Sequence, residues 1–305
     1  MIPLAGLLAL AVLQSPDSVV AEARRIAATL ADTGAARREG FGPLALRGAT
    51  DLTPFQGQHW LHRWRVAGGS PDLASPSFVM FAPVKGAWKQ AGLAYSRRIG
   101  PDSLVPTALG GVETPWHLHQ PCAFVPGEGD VLADGEDDCK ARGGYPRPPE
   151  IAMVHVWTIA NPEGPFAHDN VALPYWVTGL PLPTAADLST PGRARRTRAL
   201  GLALGESYGA RLPYARLIEH LAARPGLGDS LAVHRERLAG LVTALGEAER
   251  ARNRARVKAL SDRAIAEWEA LERLYAASAP TAVLRTQLEH ERDRALGAGS
   301  HHHGH

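Results

Sequence analysis

The sequence predicts an α+β chain: an antiparallel β-barrel or sandwich domain followed by a helical C-terminal region. From Phe41 to Pro183, prolines and glycines are frequent, apolar runs are short, and tryptophans and β-branched residues are common, which is the texture of short strands joined by turns. From Thr184 to Leu296, alanine, leucine, arginine and glutamate dominate, and apolar residues recur at helical spacing. The reading divides the chain into a leader over 1–16, an N-terminal helix over 17–40, the β-rich domain over 41–183, helices over 184–296 and a flexible histidine-rich tail over 297–305.

Met1 is followed by an apolar run, Ile2 to Leu13, too short for a stable membrane anchor but matching the core of a signal peptide. This predicts a periplasmic or secreted protein with no integral membrane span once the leader is removed. Asp17 can cap a helix in which Val19, Val20, Ala23, Ile26, Ala27 and Leu30 form one face, ending near Gly34 or Gly40. Strands are predicted over 58–66, 77–82, 93–98, 114–119 and 151–159. Helices are predicted over 200–212, 214–223, 230–245, 247–277 and 281–296, punctuated by Pro213, Pro225 and Pro280. The longest has an apolar stripe through Leu260, Ala264, Trp268 and Leu271, which suits packing on the β-domain or a homo-oligomer contact. His301, His302, His303 and His305 make the tail either a natural metal-capturing segment or a purification tag.

A formal net charge of +2 is too small to argue for nucleic acid as a partner. Nucleophile-elbow, P-loop and dinucleotide fingerprints are absent. The informative residues are histidines beside aromatic residues: His59 before Trp60, His117 and His119 after Trp116, and His155 before Trp157. On a strand, His-x-His places both imidazoles on one face. A second strand carrying His155 could aim a third ring at the same point, and His59 a fourth. Neutral imidazole suits zinc, copper, iron or nickel, so the predicted cofactor is a transition metal ion: copper, zinc or iron. A regular strand would put Glu113 on the face of His117 and His119, as ligand, supporting acceptor or general base. His168, in a Pro/Gly-rich turn, is a further supporting candidate.

Cys122 and Cys139 are the only cysteines. Export makes a bridge between them permissible. Alternatives are Cys122 as a thiolate ligand three residues after His119, or two reduced thiols in a cytosolic chain.

Gly111 followed by His117-Leu118-His119 resembles the first half of the cupin motif, with Gln120-Pro121-Cys122-Ala123-Phe124 where cupins usually carry a glutamate. This implies a cupin-like barrel. The wider set is Gly57-Gln58-His59-Trp60, then Trp116 to His119 with Cys122 and Cys139, then His155-Val156-Trp157 and Asn161-Pro162-Glu163-Gly164-Pro165-Phe166-Ala167. It is similar to uncharacterised exported bacterial proteins carrying these elements in the same order, over roughly 57–174. That resemblance implies an exported metal-binding domain. The expected function is therefore metal binding through the multi-histidine site. A copper- or iron-dependent oxidoreductase or oxygenase on that site, or a helical interaction protein with structural zinc, are the alternatives.

Overall fold

The computed structural model describes residues 15–46, 49–50, 52–68, 71–100, 103–126, 129–133, 135–210 and 227–297. The leader, the helix expected over 214–223 and all but Gly297 of the tail lie outside the described residues.

The first helix, α1 (Pro16–Thr29), starts two residues earlier than Asp17 as a cap would place it. Ser15 is the N-cap, paired with Ser18 in a capping box, and Asp17 sits in the first turn. Asp32 caps a second short helix, α2 (Thr33–Arg38), by accepting from the amide of Ala35 at 2.8 Å.

The sheet that follows has eight strands, all antiparallel. The short β1 (Gly42–Pro43) pairs with β4 (Gln58–Leu61), while β2 (Ala45–Leu46) and β3 (Ala49–Thr50) form a separate ribbon. Then come α3 (Arg63–Gly68), β5 (Phe78–Val84) and β6 (Ala87–Arg98). A second ribbon, β7 (Ala108–Leu109) with β8 (Val112–Glu113), precedes β9 (His117–Val125), β10 (Gly129–Ala133), α4 (Glu136–Ala141), β11 (Tyr145–Pro146) and β12 (Ile151–Trp157). The spatial order is β1, β4, β5, β6, β12, β9, β10, with β11 also on β9. β1 and β10 remain edges, so the sheet is open and the expected closed barrel is not formed. Closure needs first and last strands to pair, and here they lie at opposite ends of the order.

The two faces of the sheet have different partners. Val79, Leu93, Tyr95, Val154 and Val156 point to the face covered by α1, where they pack with Val19, Val20, Ala23, Ile26 and Leu30. Each fully buried aliphatic side chain there stabilises by about 1.5–3 kcal/mol relative to exposure. The alternate residues, Met80, Gly92, Ala94, Met153, His155 and Trp157, share the other face with His59 and His117, as the registers Met80↔His59, Gly92↔Met80, Ala94↔His155 and Met153↔His117 require.

The helical region begins with α5 (Leu173–Thr178), a 3₁₀ turn over Ala185–Leu188 and α6 (Pro191–Ser207). It continues as α7 (Leu227–Arg250), α8 (Arg254–Ser278) and α9 (Ala282–Ala295). The stripe read from the sequence is real: Leu260, Ala264, Trp268 and Leu271 are buried in α8. Trp268 and Leu271 belong to a core that also takes in Phe55 and Val171, which precede the helices in the chain. No helix among the described residues is long and apolar enough to cross a membrane.

A histidine face as candidate metal centre

His59 stands on β4, and Gly57 is what lets the chain enter that strand. Its φ is +70°, and a side chain there would meet the carbonyl oxygen of Phe81 at 2.5 Å. β4 is shorter than the predicted 58–66, because the chain turns at His62 into α3. His62 packs edge-on to Phe41, away from the other rings.

His117 and His119 open β9, and His155 is central in β12. Glu113 does not join them. β8 ends at Glu113, the chain bends through Thr114–Trp116, and the exposed Glu113 stays on the separate β7–β8 ribbon. The expectation of one regular strand over 114–119 fails at that bend, and with it the parity that placed Glu113 beside the histidines.

β4 and β12 are three strand positions apart, so rings standing upright on a flat sheet would be separated by roughly 14 Å. The His59 and His155 ring centroids are instead 5.4 Å apart. The sheet curls, and these rings lie on its concave side. Gly92 and Ala94 on the intervening strand β6 leave the room: a side chain on Gly92 would come within 3.2 Å of the Trp157 ring and 3.1 Å of the Val156 carbonyl.

Five rings form a contiguous set. His117 is 5.0 Å from His119, 5.0 Å from His155 and 4.3 Å from His168, while His155 is 5.3 Å from His168. Imidazoles bound tetrahedrally to one metal at ~2.1 Å would have ring centroids about 5 Å apart. The ring centroids of His117, His155 and His168 have that spacing, and His119 and His59 lie beside His117 and His155, but the nitrogens of His168 face Gln56 and Asp169 rather than the other rings. The expected trio of His117, His119 and His155 lies within this set, with His168 stacked on His155 beside it. His155 and His168 are nearly parallel, at 10° between planes, so a shared metal would require one ring to turn.

His155 is the best-defined member. It is buried, and its Nδ1 donates to the backbone carbonyl of His168 at 2.6 Å. A carbonyl can only accept, so the proton is on Nδ1 and Nε2 carries a lone pair. Burial, reinforced by the neighbouring His168 and His59, pushes its pKa well below the ordinary histidine range, which keeps the ring neutral. A backbone carbonyl bonded to one ring nitrogen while the other faces the site is the arrangement that orients metal-ligating histidines.

His168 sits in the segment after β12. Gln56 donates to Asp169 at 3.0 Å and lies 3.3 Å from His168 Nε2. Asp169 Oδ1 is 3.5 Å from His168 Nδ1. Burial pushes the Asp169 carboxyl up, but His168, Arg198 and the Gln56 amide outweigh it and hold the group below its ordinary value.

Cys122 and Cys139 form a disulfide, with Cα atoms 5.5 Å apart, that ties β9 to α4. The bridge removes Cys122 as a thiolate ligand. It also fixes Asp138, beside a residue group the sequence did not reveal. Asp138, His290 and Glu291 offer ligand atoms that all lie within 4.8 Å of one another, a tighter gathering than the histidine nitrogens make as a set, and could hold a metal ion. Arg142, however, lies 3.6 Å from both carboxylates, and Arg294 bonds Glu291 at 3.1 Å. Two guanidinium groups already neutralise the two carboxylates, so a divalent ion there would add uncompensated charge. No signal in the chain links these residues, because Asp138 and His290 are 152 positions apart.

No family model matches this chain, and neither curated proteins nor solved structures give a significant match.

Proposed function

We propose that the concave histidine face binds a single transition metal ion, and that the chain is an exported copper- or zinc-handling protein. The observation that carries this is the gathering of His59, His117, His119 and His155 on one face of the sheet, neighbouring ring centroids 5.0–5.4 Å apart, with His155 neutral and oriented by a carbonyl. The donors on this face are imidazole nitrogens, a set suited to copper, zinc or iron rather than to calcium or magnesium. The Cys122–Cys139 bridge supports export, since disulfides persist in oxidising compartments.

The test is elemental analysis of protein truncated after Gly297, so that tail histidines contribute nothing. One equivalent of metal is expected, lost in His117→Ala/His119→Ala with helical circular dichroism unchanged. Full stoichiometry in that variant would refute the assignment.

A further inference from the structure

We infer that the cleft between α2 and α3, at the β1 edge of the sheet, docks the protein on a membrane surface rich in anionic phospholipid. Arg37 and Arg63 take a headgroup phosphate, and Trp64 enters the interface beside them. The inference does not depend on the metal-binding reading.

Two short segments build this corner. Residues 37–44 and 61–68 carry four arginines, Arg37, Arg38, Arg63 and Arg65, and a single acid, Glu39. The segments meet because β1 pairs with β4, with Gly42 opposite Leu61 and Pro43 opposite Trp60. α2 leads into β1 and β4 leads into α3, so both helices come to this end of the sheet. Asp32, the acid before α2, is engaged in capping that helix. Among the described residues, none of the four arginines has a carboxylate at ion-pair distance. Their charge is left for something outside the chain.

Two of the guanidinium groups are held in place. Arg37 lies over the Trp60 ring at 5.1 Å, and Arg65 lies over the Phe41 ring at 5.2 Å. Arg65 Nη1 also donates to the Pro76 carbonyl at 3.4 Å. Stacking on an aromatic face positions a guanidinium and leaves N–H groups at its edge for an anion. Arg37 and Arg63 line a cleft of about 450 Å³ whose apolar members are Phe41, Leu44 and Leu61. Positive charge beside apolar surface suits an amphiphilic anion. Trp64, between Arg63 and Arg65 on α3, is 82% exposed. An indole flanked by cations is the residue pattern of a membrane interface, where one end of the ring is apolar and the other wet.

An acidic peptide added as an extra strand is the competing occupant. β1 is two residues long, and one of them, Pro43, has no N–H to donate. This edge offers no ladder to extend, and a bilayer needs none.

The experiment mixes the full chain with vesicles of phosphatidylglycerol and phosphatidylcholine, or of phosphatidylcholine alone, and reads partition by co-sedimentation. Any insertion of the apolar residues 2–13 acts on both vesicles and on every variant alike. Wild type should prefer the anionic vesicles and lose that preference steeply between roughly 0.1 M and 1 M salt. Partition should weaken by about 5-fold for each arginine removed, or about 25-fold in Arg37→Ala/Arg63→Ala. Trp64→Ala should cost about 5-fold or more. Tryptophan emission should move to shorter wavelength on anionic vesicles, and Trp64→Phe should abolish that shift while most binding remains. Should Arg37→Ala loosen the fold by baring Trp60, Arg63→Glu and Trp64→Ala, both at exposed positions, must weaken partition with circular dichroism unchanged. Equal partition on neutral and anionic vesicles would overturn the inference, as would variants that bind like wild type. Release by inorganic phosphate beyond that by chloride at matched ionic strength would overturn it too, making the ligand a soluble phosphate. Arginine-dependent capture of a single-stranded oligonucleotide, with no Trp64 shift on vesicles, would assign the corner to nucleic acid instead.

Discussion

Among the described residues, the histidine face and the Asp138–His290–Glu291 group hold ligand-type atoms in opposite electrostatic company. On the concave face, rings meet rings, and the nearest carboxylate, Asp169, is engaged by Arg198 and Gln56. At the α4–α9 contact, Asp138, His290 and Glu291 lie closer together, yet Arg142 and Arg294 are there as well. Proximity of donors alone therefore favours the Asp138 group, and charge favours the histidine face. What separates a site for a cation from a structural ion network is whether positive charge is already present. The neutral, carbonyl-oriented His155 and the charge-paired His290 are the two ends of that contrast.

The largest expected effect tests it directly. His155→Phe keeps an aromatic volume in the sheet and removes the Nε2 donor. Metal affinity should fall well beyond the roughly 10–100-fold that ligand-orienting partners command. His290→Ala should leave affinity unchanged. Calorimetric titration with zinc and copper(II) on both variants decides this, and the reverse pattern would move the metal centre to the α4–α9 contact.

The next effect is on stability and is specific to the second cluster's surroundings. Cys122→Ser/Cys139→Ser opens a loop of 17 residues. Loss of its constraint on the unfolded chain should cost about 3 kcal/mol. Denaturant unfolding should show that loss, while metal affinity on the concave face stays within a few-fold of wild type. An equal drop in both would mean that the bridge, through β9, also holds His117 and His119 in place.

What could be read beforehand was whatever depends on local parity. His117 and His119 share a face because strand side chains alternate, whereas His155 joins them only through the register that pairs Met153 with His117. The disulfide was one of the readings that the two cysteines and an expected export allowed. The open sheet could not be read, since closure depends on whether distant edges meet. His168 could be named as a supporting candidate but not placed: its segment is held by Trp157, Gln56 and Arg198, contacts that span from 10 to 113 positions in the chain. The bend at Thr114–Trp116, which strands Glu113 on its ribbon, is likewise a tertiary choice against a plausible strand.

A smaller effect concerns the room that Gly92 leaves on the histidine face of the sheet. Gly92→Ala places a methyl 2.4 Å from Met80 Cε, 3.1 Å from the Val156 carbonyl and 3.2 Å from the Trp157 ring. Met80 can swing aside, but the backbone oxygen cannot. Overpacking should cost about 1–3 kcal/mol. If the curl of the sheet depends on this glycine, the variant should also weaken metal binding, because His59 and His155 would be pushed apart. Thermal unfolding and the same titration read both quantities; a stable variant with lowered affinity would localise the effect to curvature.

The smallest expected effect belongs to His290, and its pH dependence distinguishes an ion network from a metal site. His290 Nε2 donates to Asp138 at 3.3 Å, and this hydrogen bond, with the charges of Glu291 and Asp138, raises its pKa against partial burial and the opposing Arg294. Arg142 faces the same carboxylates. A histidine whose pKa is higher in the folded state stabilises the fold while it is protonated. That stabilisation is complete below the unfolded pKa of roughly 6.5 and is lost as pH rises through the folded value. The side chain is 35% exposed, so the pair should contribute no more than about 1 kcal/mol. Urea unfolding of wild type and His290→Ala should differ by that amount at low pH, around 5.5, and converge at high pH, around 8.5. A difference that grows toward high pH instead would mean that His290 works as a neutral donor atom, as a metal ligand would.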